Sequence, residues 1–269
     1  MLVDFHCHTR ESDGSLTPAE LVEAMRARGV GVFSVTDHDT LAAYATIADV
    51  AWARIVVGIE INTTYRGGEV HVLGYGMQLD DGPLRAMLER NCRARGQRIA
   101  KIVAQLNRVG IDLSLEQVRA EAAPQAPLGR PHVAKALVRN AYVPTIDGAF
   151  RSLLSRDRPG YVPSVHATPQ EAIDVIAGAG GIPVLAHPGR LRDEDVIDEL
   201  ADAGLLGLEV FYPTHTLAQV ERFRERARGL GLVLTGGSDF HDARYGAGVV
   251  GVEAEPDDIA PFLDMVSSA

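Results

Sequence analysis

Residues 2–8 read Leu-Val-Asp-Phe-His-Cys-His, an apolar run of β type that ends in two histidines. Side chains two residues apart on an extended chain point to the same side, so His6 and His8 can bind one metal ion from the end of a strand. The alternative is a pair of histidines that ends a strand without any ligand. An apolar run followed by ionisable residues recurs further along the chain, and the fold prediction starts from that regularity.

Strands and helices alternate through most of the sequence. The β-type runs are predicted at residues 2–5, 32–35, 55–57, 70–73, 183–186, 207–211 and 233–235. Helices are predicted at residues 17–28, 41–51, 169–179, 194–203 and 217–230. Such alternation predicts an α/β fold with a parallel sheet, closed or open, and with helices outside it.

Residues 80–155 differ from the rest of the chain because their patterns are helical throughout. Helices are predicted at residues 83–109, 114–122, 132–140 and 145–154, and no run there has the character of a strand. We therefore predict two parts. Residues 1–79 and 156–269 form the α/β domain, and residues 80–155 form a helical insertion into it.

The chain is acidic overall but has one basic stretch. Its formal net charge is −10 over 269 residues, which argues against a protein that binds duplex DNA tightly. Residues 85–98, in contrast, hold a single acid and a run of arginines, namely Arg85, Arg90, Arg93, Arg95 and Arg98. One local basic helix in an acidic protein favours a small anionic substrate over a long polyanion.

The sequence also bears on location and redox state. No stretch approaches the ~20 apolar residues that span a membrane, and the N-terminus lacks the basic and apolar regions of a signal peptide. The two cysteines, Cys7 and Cys92, have no spacing typical of a disulfide framework. We expect a cytoplasmic enzyme with free thiols and no membrane contact, and the sequence leaves its oligomeric state open.

Ionisable residues gather behind the predicted strands. Those predicted to lie just past the C-terminal end of a strand are His6, His8, Asp37, His38, Glu60, His187, Asp239 and His241. In a β/α barrel that face carries the active site. Single residues keep other interpretations: Asp13 suits a turn, Asp39 or Thr40 suits a helix N-cap, Glu60 suits a solvated strand end, and His71, in an apolar run, suits a core residue.

Together these side chains offer nitrogen and oxygen donors without a thiolate. That donor set favours Mn²⁺, Fe²⁺ or Zn²⁺ over a structural zinc bound by cysteine. A single zinc needs about four ligands, so the surplus of donors predicts more than one metal ion. Neighbouring ions, roughly 3.5–4 Å apart, can activate a shared nucleophile and stabilise a developing phosphoryl or acyl oxyanion.

Several motifs, in this order, resemble those of the PHP (polymerase and histidinol phosphatase) family. They are His6-Cys7-His8-Thr9 with Ser12-Asp13-Gly14, Thr36-Asp37-His38-Asp39-Thr40, Gly58-Ile59-Glu60, His71-Val72-Leu73-Gly74-Tyr75, Ala186-His187-Pro188 and Gly237-Ser238-Asp239-Phe240-His241. The resemblance covers nearly the whole chain. It implies a distorted seven-stranded β/α barrel whose helical insertion, residues 80–155, caps the substrate site.

The resemblance also implies an allocation of metal ligands. One ion would be held by His6, His8, Glu60 and Asp239, and a second by Glu60, His71 and His187. A third would be held by Asp13, His38 and His241. Glu60 would then bridge two ions and be the central catalytic residue. We expect two or three divalent ions, with Mn²⁺ first and Fe²⁺ or Zn²⁺ as alternatives.

Within the family the resemblance is closest to the branch of 3′,5′-nucleoside bisphosphate phosphatases, also described as 5′→3′ exoribonucleases. We expect hydrolysis of the 3′-phosphate of a nucleoside 3′,5′-bisphosphate, with trimming of short RNA as a second activity. The residues expected to bind the substrate are Asp13, Arg95, Arg98 and Arg130, and His215 is expected to assist the leaving oxygen. The alternatives are a histidinol-phosphate or other sugar-phosphate phosphatase and, in another class, a non-catalytic metal-binding module.

Overall fold

The computed structural model describes residues 1–47, 50–244 and 248–268. Over these residues a single sheet runs in the order β7-β6-β5-β4-β3-β2-β1-β8. Its strands are β1 (Leu2–Asp4), β2 (Val32–Val35), β3 (Arg54–Tyr65), β4 (Gly68–Tyr75), β5 (Ile182–Leu185), β6 (Gly207–Phe211), β7 (Val233–Gly236) and β8 (Val252–Glu253). The predicted α/β class is confirmed.

The sheet is nearly closed, because the chain after β7 returns to the end of β1. The Phe5 amide donates to the Gly236 carbonyl at 2.9 Å, and the Asp239 amide donates to the His6 carbonyl at 2.7 Å. The sheet of the described residues has eight strands, not the expected seven. The additional strand, β8, pairs antiparallel with β1 and is only two residues long, too short to show an alternating pattern.

Part of the predicted parallel arrangement is wrong. Strands β3 and β4 are antiparallel, as are β4 and β5. Tyr65 pairs with Gly68, and the two residues between them, Arg66 and Gly67, have φ of 47° and 72°. Positive φ at both central residues is typical of the tight type I′ hairpin turn. The twelve residues between the predicted runs 55–57 and 70–73 were therefore mostly strand, and no helix crosses over between them.

In the part of the chain that the structure describes, five helices accompany the sheet: α1 (Pro18–Arg28), α6 (Pro169–Gly178), α7 (Val196–Asp202), α8 (Leu217–Gly229) and α9 (Pro256–Ser268). Helix α1 begins and ends as predicted, with Thr17 and Glu20 forming a capping box and Gly29 at φ 79° closing the helix. The helix predicted at residues 41–51 is a 3₁₀ turn, Ala42–Ala45, and Ala48 and Asp49 lie outside the described residues. No helix of the described chain is long and apolar enough to cross a membrane.

Between β4 and α6 the described chain is helical. The helices are α2 (Gly82–Arg108), α3 (Leu115–Arg119), α4 (Arg130–Arg139) and α5 (Ile146–Ala149), followed by a π-helical turn, Phe150–Leu154. Helix α2 joins two cores: Leu84 and Met87 pack into the core of the sheet, whereas Ile102 and Leu106 pack with α4 residues such as Leu137. We refer to residues 80–155 as the helical segment.

Candidate metal centre

The sheet brings the predicted donor side chains to one place. His6 and His8 follow β1, His38 follows β2, His187 follows β5, and Asp239 and His241 follow β7. Glu60 is the exception to the predicted placement, because β3 continues past it to Tyr65. Glu60 lies two residues before Asn62, which pairs with His71 across the hairpin. This places Glu60 and His71 on the same face of the sheet, with His71 Nδ1 2.7 Å from Glu60 Oε1.

A first group of donor atoms, all within 4.8 Å of one another, comes from His6, His8, Glu60 and Asp239. His6 Nε2 and His8 Nε2 each lie 3.2 Å from Glu60 Oε2, and His8 Nε2 lies 3.2 Å from Asp239 Oδ1. Metal–ligand bonds of about 2.0–2.2 Å separate neighbouring ligand atoms by roughly 2.8–3.6 Å in octahedral or tetrahedral geometry. The spacing of these atoms therefore fits one divalent ion.

Two further groups adjoin the first. One joins His38, Glu60 and His71, and the other joins His8, Asp13, His38 and His241. His187 Nε2 lies 3.2 Å from Glu60 Oε1, on the side of His71. The two oxygens of Glu60 thus face different partners: Oε1 faces His71 and His187, and Oε2 faces His6, His8 and His38. A carboxylate in this position can bridge two ions.

The centre contains buried polar atoms that have no hydrogen-bond partner among the described residues. Among the described residues, the buried atoms without a hydrogen-bond partner include His6 Nε2, both ring nitrogens of His8, Glu60 Oε2 and His71 Nε2. A buried polar atom left unpaired costs about 1–3 kcal/mol. Burial opposes ionisation of Glu60, but His38, His6 and His71 hold the pKa of its carboxyl well below the usual value. Lone pairs and carboxylates converging on the same points fit divalent cations.

Glu209 supports the centre from behind, and sequence reasoning gave it no role. Its carboxylate is fully buried; Oε1 lies 2.9 Å from His6 Nδ1, and Oε2 accepts the His187 amide at 2.6 Å. A carboxylate on the far nitrogen of a metal-binding histidine fixes the ring orientation and makes the nitrogen a stronger donor. An acid inside the apolar strand Leu208-Glu209-Val210 was the signal that could have revealed it.

Asp37 and Asp39, beside His38, hold loops and do not act as caps. Asp37 accepts hydrogen bonds from the Thr9 amide at 2.7 Å and from the Ser12 hydroxyl at 2.6 Å. Asp39 was expected as a possible helix N-cap; instead its carboxylate accepts from Asn91 at 2.8 Å and from Arg95 at 2.7 Å. Asp39 is therefore not a helix N-cap, because its side chain turns toward the helical segment.

Three of the six described non-glycine residues with positive φ lie at this centre. Asp39, His187 and Asp239 have φ of 53°, 29° and 50°, in a region that residues with a side chain rarely adopt. Each such residue costs about 1–3 kcal/mol and persists only where its surroundings hold it. For Asp239 the neighbouring hydrogen bond to His6 is one such restraint. Two of these residues, His187 and Asp239, carry side chains that face the centre, and Asp39 directly follows His38.

The predicted arginines line the same cavity, which has a volume of about 260 Å³. Arg95 Nε lies 2.7 Å from Asp39 Oδ2 in a buried pair. Arg98 and Arg130 share one carboxylate, with nitrogens 2.6 and 2.7 Å from the two oxygens of Glu69. Two guanidinium groups on one carboxylate leave one positive charge in excess. An anion entering the cavity therefore meets both arginines and metal donors.

Two further residues of this cavity were missed in the sequence. Arg190 lines it, and Arg190 Nη1 lies 3.1 Å from Asp239 Oδ2. His166 also lines it, and His166 Nδ1 is buried without a partner among the described residues. Burial lowers the pKa of His166 to about 4, so the ring is neutral at pH 7. Neither residue belongs to a motif, and only the tertiary fold places them here.

His215, expected to assist the leaving oxygen, is not among the residues that line the cavity. Its Nδ1 lies 2.9 Å from the Val210 carbonyl, and its Nε2 accepts the Gly189 amide at 3.1 Å. Both ring nitrogens thus bind backbone groups, one inside β6 and one in the turn that follows β5. This geometry gives no support to a role in proton transfer and makes His215 a brace for the turn after His187.

The chain is similar along most of its length to characterised hydrolases. It is 32% identical over 257 residues to 3′,5′-nucleoside bisphosphate phosphatase from Chromobacterium violaceum, covering 93% of this chain and 90% of that protein. It is 34% identical to phosphoribosyl 1,2-cyclic phosphate 1,2-diphosphodiesterase from Eggerthella lenta, covering 90% and 94%. It is 30% identical to a 5′-3′ exoribonuclease from Haemophilus influenzae, covering 88% and 89%.

A solved structure shares the fold. The crystal structure of a protein from Bifidobacterium adolescentis, described as a metal-dependent phosphoesterase, superposes with a TM-score of 0.87 at 30% identity. The match covers 97% of this chain and 95% of that one. No protein-family model matches the sequence.

Proposed function

Because the chain belongs to the PHP family of metal-dependent phosphoesterases, we propose that it hydrolyses the 3′-phosphate of nucleoside 3′,5′-bisphosphates and releases nucleoside 5′-monophosphates. Membership in this family confirms that the chain is an enzyme, and the non-catalytic metal-binding module is set aside. One observation carries the choice of substrate: Arg98 and Arg130 face the same cavity as the donor groups around Glu60. A substrate with two phosphates can place one phosphate at the donor groups and the other at the arginines.

The reaction requires a place for the scissile phosphate and a place for the other one. Divalent ions bound by the three donor groups would activate water as a nucleophile and neutralise the phosphoryl oxygens. Glu60, with Asp13 and Asp239, would hold these ions together with the histidines. Mixed imidazole and carboxylate donors without a thiolate suit Mn²⁺, Fe²⁺ or Zn²⁺, with Mn²⁺ as the first expectation. The water oxygen adds to phosphorus, the bond from phosphorus to O3′ breaks, and O3′ takes up a proton.

The 5′-phosphate would bind to the arginines of the helical segment. Arg98 and Arg130 already meet at Glu69, and a phosphate can accept paired hydrogen bonds from each guanidinium. Arg95 is less free to bind the phosphate, because turning away from Asp39 would leave that buried carboxylate without a compensating positive charge. Arg95 therefore contributes positive charge to the site, while Arg98 and Arg130 make the direct contacts. In this arrangement the helical segment caps the substrate.

Two other substrates deserve direct comparison. The relative that is 34% identical acts, by its name, on a phosphoribosyl 1,2-cyclic phosphate, which is a diester of a sugar phosphate. Histidinol phosphate and other sugar monophosphates are the second alternative. A sugar monophosphate supplies no second phosphate for Arg98 and Arg130, and this is why the bisphosphate is preferred to it. A cytoplasmic location, favoured by the two free cysteines, belongs to the same proposal.

A substrate panel tests the proposal. The purified chain is freed of metal, reloaded with Mn²⁺, and assayed with adenosine 3′,5′-bisphosphate, adenosine 3′-monophosphate, phosphoribosyl 1,2-cyclic phosphate and histidinol phosphate. We expect the bisphosphate to have the highest kcat/KM, about 10- to 150-fold above the 3′-monophosphate, from one charge-assisted contact worth ~1.5–3 kcal/mol. A higher kcat/KM for histidinol phosphate or the cyclic phosphate would overturn it.

A further inference from the structure

A second cavity adjoins the metal centre and carries an unusual concentration of arginine. Its volume is about 400 Å³, and it shares Glu69, Arg130 and Arg190 with the cavity of the metal centre. We propose that this cavity, the arginine groove, holds the nucleotides that follow the scissile phosphate when the substrate is a short single-stranded RNA. The proposal rests on the proposed function, since it extends the same reaction to a longer substrate.

The arginine groove is basic in an acidic protein. Its lining includes two acids, Glu69 and Asp193, against a larger set of arginines, namely Arg66, Arg130, Arg156, Arg190 and Arg192. The chain as a whole has a net charge of −10. A groove of positive charge that follows the backbone is the common feature of proteins that bind single-stranded nucleic acid. The contrast with the overall charge makes a general solvated surface a poor explanation.

Some of this positive charge is not used within the fold. Arg66 pairs with Glu199 at 2.7 Å, and Arg130 pairs with Glu69. Arg156, in contrast, donates to the Gly67 carbonyl at 3.2 Å and has no carboxylate partner within the described chain. Arg192 is exposed and likewise has no carboxylate partner there. These two arginines are therefore available to phosphate groups.

Tyrosine rings accompany the arginines. Arg156 lies 5.9 Å from the centre of the Tyr161 ring, and Arg66 lies 5.1 Å from the centre of the Tyr65 ring. Both tyrosines line the arginine groove. Bases stack on aromatic side chains with little dependence on sequence, and arginine beside the ring adds to the interaction. Phosphate contacts and a stacking surface thus occur together in one groove.

The chemistry connects the arginine groove to the metal centre. In a bisphosphate the scissile phosphoryl group carries no further substituent; in an RNA it continues through O5′ into the next nucleotide. The same step serves both: water oxygen adds to phosphorus, the bond to O3′ breaks, and O3′ takes up the proton. The products from RNA are a nucleoside 5′-monophosphate and a shorter RNA with a 5′-phosphate. Only the space beyond the phosphoryl group decides whether RNA can enter.

Arg190 marks where that space begins. It lies 3.1 Å from Asp239 of the first donor group and also lines the arginine groove, and Arg192 follows two residues later. A chain leaving the metal centre past Arg190 would reach Arg192, Arg156 and Tyr161. The similarity to a 5′-3′ exoribonuclease supports RNA over other polyanions.

The test compares two substrates in the full-length chain loaded with Mn²⁺: adenosine 3′,5′-bisphosphate and a 5′-phosphorylated tetra-adenylate RNA. The variants are Arg156→Ala, Arg192→Ala and Tyr161→Ala, with Arg28→Ala on α1 as an exposed control. We expect kcat/KM on the tetranucleotide to fall about 5- to 150-fold in the Tyr161 variant, as for loss of base stacking. Each arginine variant should also weaken the salt dependence by about 0.7 in the slope of log kcat/KM against log salt.

All three variants should retain activity on the bisphosphate, and Tyr161→Phe, which keeps the ring, should retain activity on both substrates. Equal losses on both substrates, or no loss on either, would overturn the arginine groove. A wild-type chain that hydrolyses the bisphosphate but not the tetranucleotide would also overturn it and leave the proposed function intact. A wild-type chain that cleaves neither substrate would overturn both.

Discussion

The sheet and the helical segment face the same cavity with opposite charge. The sheet contributes histidines and carboxylates, and among the described residues some of their buried atoms have no hydrogen-bond partner, such as His8 Nε2 and Glu60 Oε2. The helical segment contributes Arg95, Arg98 and Arg130, each paired with a carboxylate. The donors on the sheet suit cations, and the arginines suit anions. From this comparison we expect the sheet to perform the chemistry and the helical segment to select what is bound.

The two regions also differ in how they are built. Donor side chains of the sheet are attached to strand ends, and Glu209 and strained backbone hold them in place. The helical segment has a separate apolar core around Leu106 and Leu137 and is tied to the sheet by α2. A metal site tolerates only small errors in the positions of its ligand atoms, so rigid strands are well suited to hold them. A separate core lets the arginines change without disturbing the metal centre, and this can be tested region by region.

The largest effect should come from removing the metal ions. Exhaustive chelation and desalting should abolish phosphate release, and added Mn²⁺ should restore it, because the donors on the sheet cannot neutralise a phosphoryl group without cations. An ion present at 100 times its Kd stabilises the fold by ~2.7 kcal/mol, which corresponds to a Tm change on the order of 5–10 °C. Scanning calorimetry with and without Mn²⁺ measures this change in Tm. Full turnover after chelation would contradict the account.

Chelation should also affect the sheet and the helical segment differently. Amide hydrogen exchange should increase at residues next to the centre, such as those around His6 and Asp239, and should remain unchanged around Leu106 and Leu137 in the helical segment. Mass spectrometry of peptic fragments resolves these regions. Increased exchange only in the helical segment would reverse the assignment of the ions to the sheet.

Glu60→Gln should have the next largest effect. The substitution keeps the size of the side chain but removes the charge that faces five histidines, so at least one metal equivalent should be lost. The loss in kcat should exceed the ~10²–10³-fold cost of removing one donor to a developing oxyanion. Elemental analysis and steady-state kinetics measure both quantities. Glu89→Gln, an exposed carboxylate on α2, is the matched control and should change neither; full metal occupancy in the Glu60 variant would refute its bridging role.

Arg98→Ala and Arg130→Ala should act on the substrate and leave the metal in place. Each should lower kcat/KM for the bisphosphate by about 10- to 150-fold, the equivalent of ~1.5–3 kcal/mol for a charge-assisted contact. Activity on an aryl phosphate, which reaches only the metal ions, should change little. Arg108→Ala, at the far end of α2, is the control. Parallel losses on both substrates would break the division of labour between the two regions.

Glu209→Gln should have a smaller effect. The amide can still accept a hydrogen bond from His6 Nδ1 or from the His187 amide, but it no longer strengthens the imidazole as a ligand. Such supporting partners change metal affinity or activity by roughly 10- to 100-fold. Titration with Mn²⁺, followed by activity, should show a higher metal concentration at half-maximal rate and a similar limiting kcat. A lower kcat at saturating Mn²⁺ would place Glu209 in the reaction itself.

Local patterns predicted most of the fold. Each β-type run overlaps a strand, because alternation and apolar runs reflect burial directly, although β3 and β4 extend well beyond the predicted runs. The reversal of direction at β3 and β4 was missed, because Arg66-Gly67 is a weak turn signal compared with Asn-Gly or Asp-Gly. The two residues of β8 form a strand only because β1 offers them a free edge. Such pairing depends on contacts between distant parts of the chain.

The residues of the candidate site were likewise only partly predictable from local patterns. The three donor groups consist of residues that the sequence had already indicated, because most of them lie in short motifs that follow a strand. Glu60 and His71 lie within β3 and β4, and the family resemblance indicated His71 as a ligand and Glu60 as a bridge between two ions. Binding of metal by the three groups stays a prediction. Arg190 and His166 could not be predicted, since only the fold brings them to the cavity. Glu209 was missed although an acid inside an apolar strand was a usable signal. His215 was chosen for its position after a strand, yet its ring turns to backbone groups.

Anomalous diffraction tests the central claim most directly. Crystals of the chain grown with Mn²⁺ would be measured on both sides of the manganese absorption edge. The account predicts anomalous peaks about 2.0–2.2 Å from the donor atoms, one among His6, His8, Glu60 and Asp239 and at least one more that shares Glu60. Anomalous peaks only elsewhere on the chain, or none at saturating Mn²⁺, would contradict the claim that this sheet holds the metal ions.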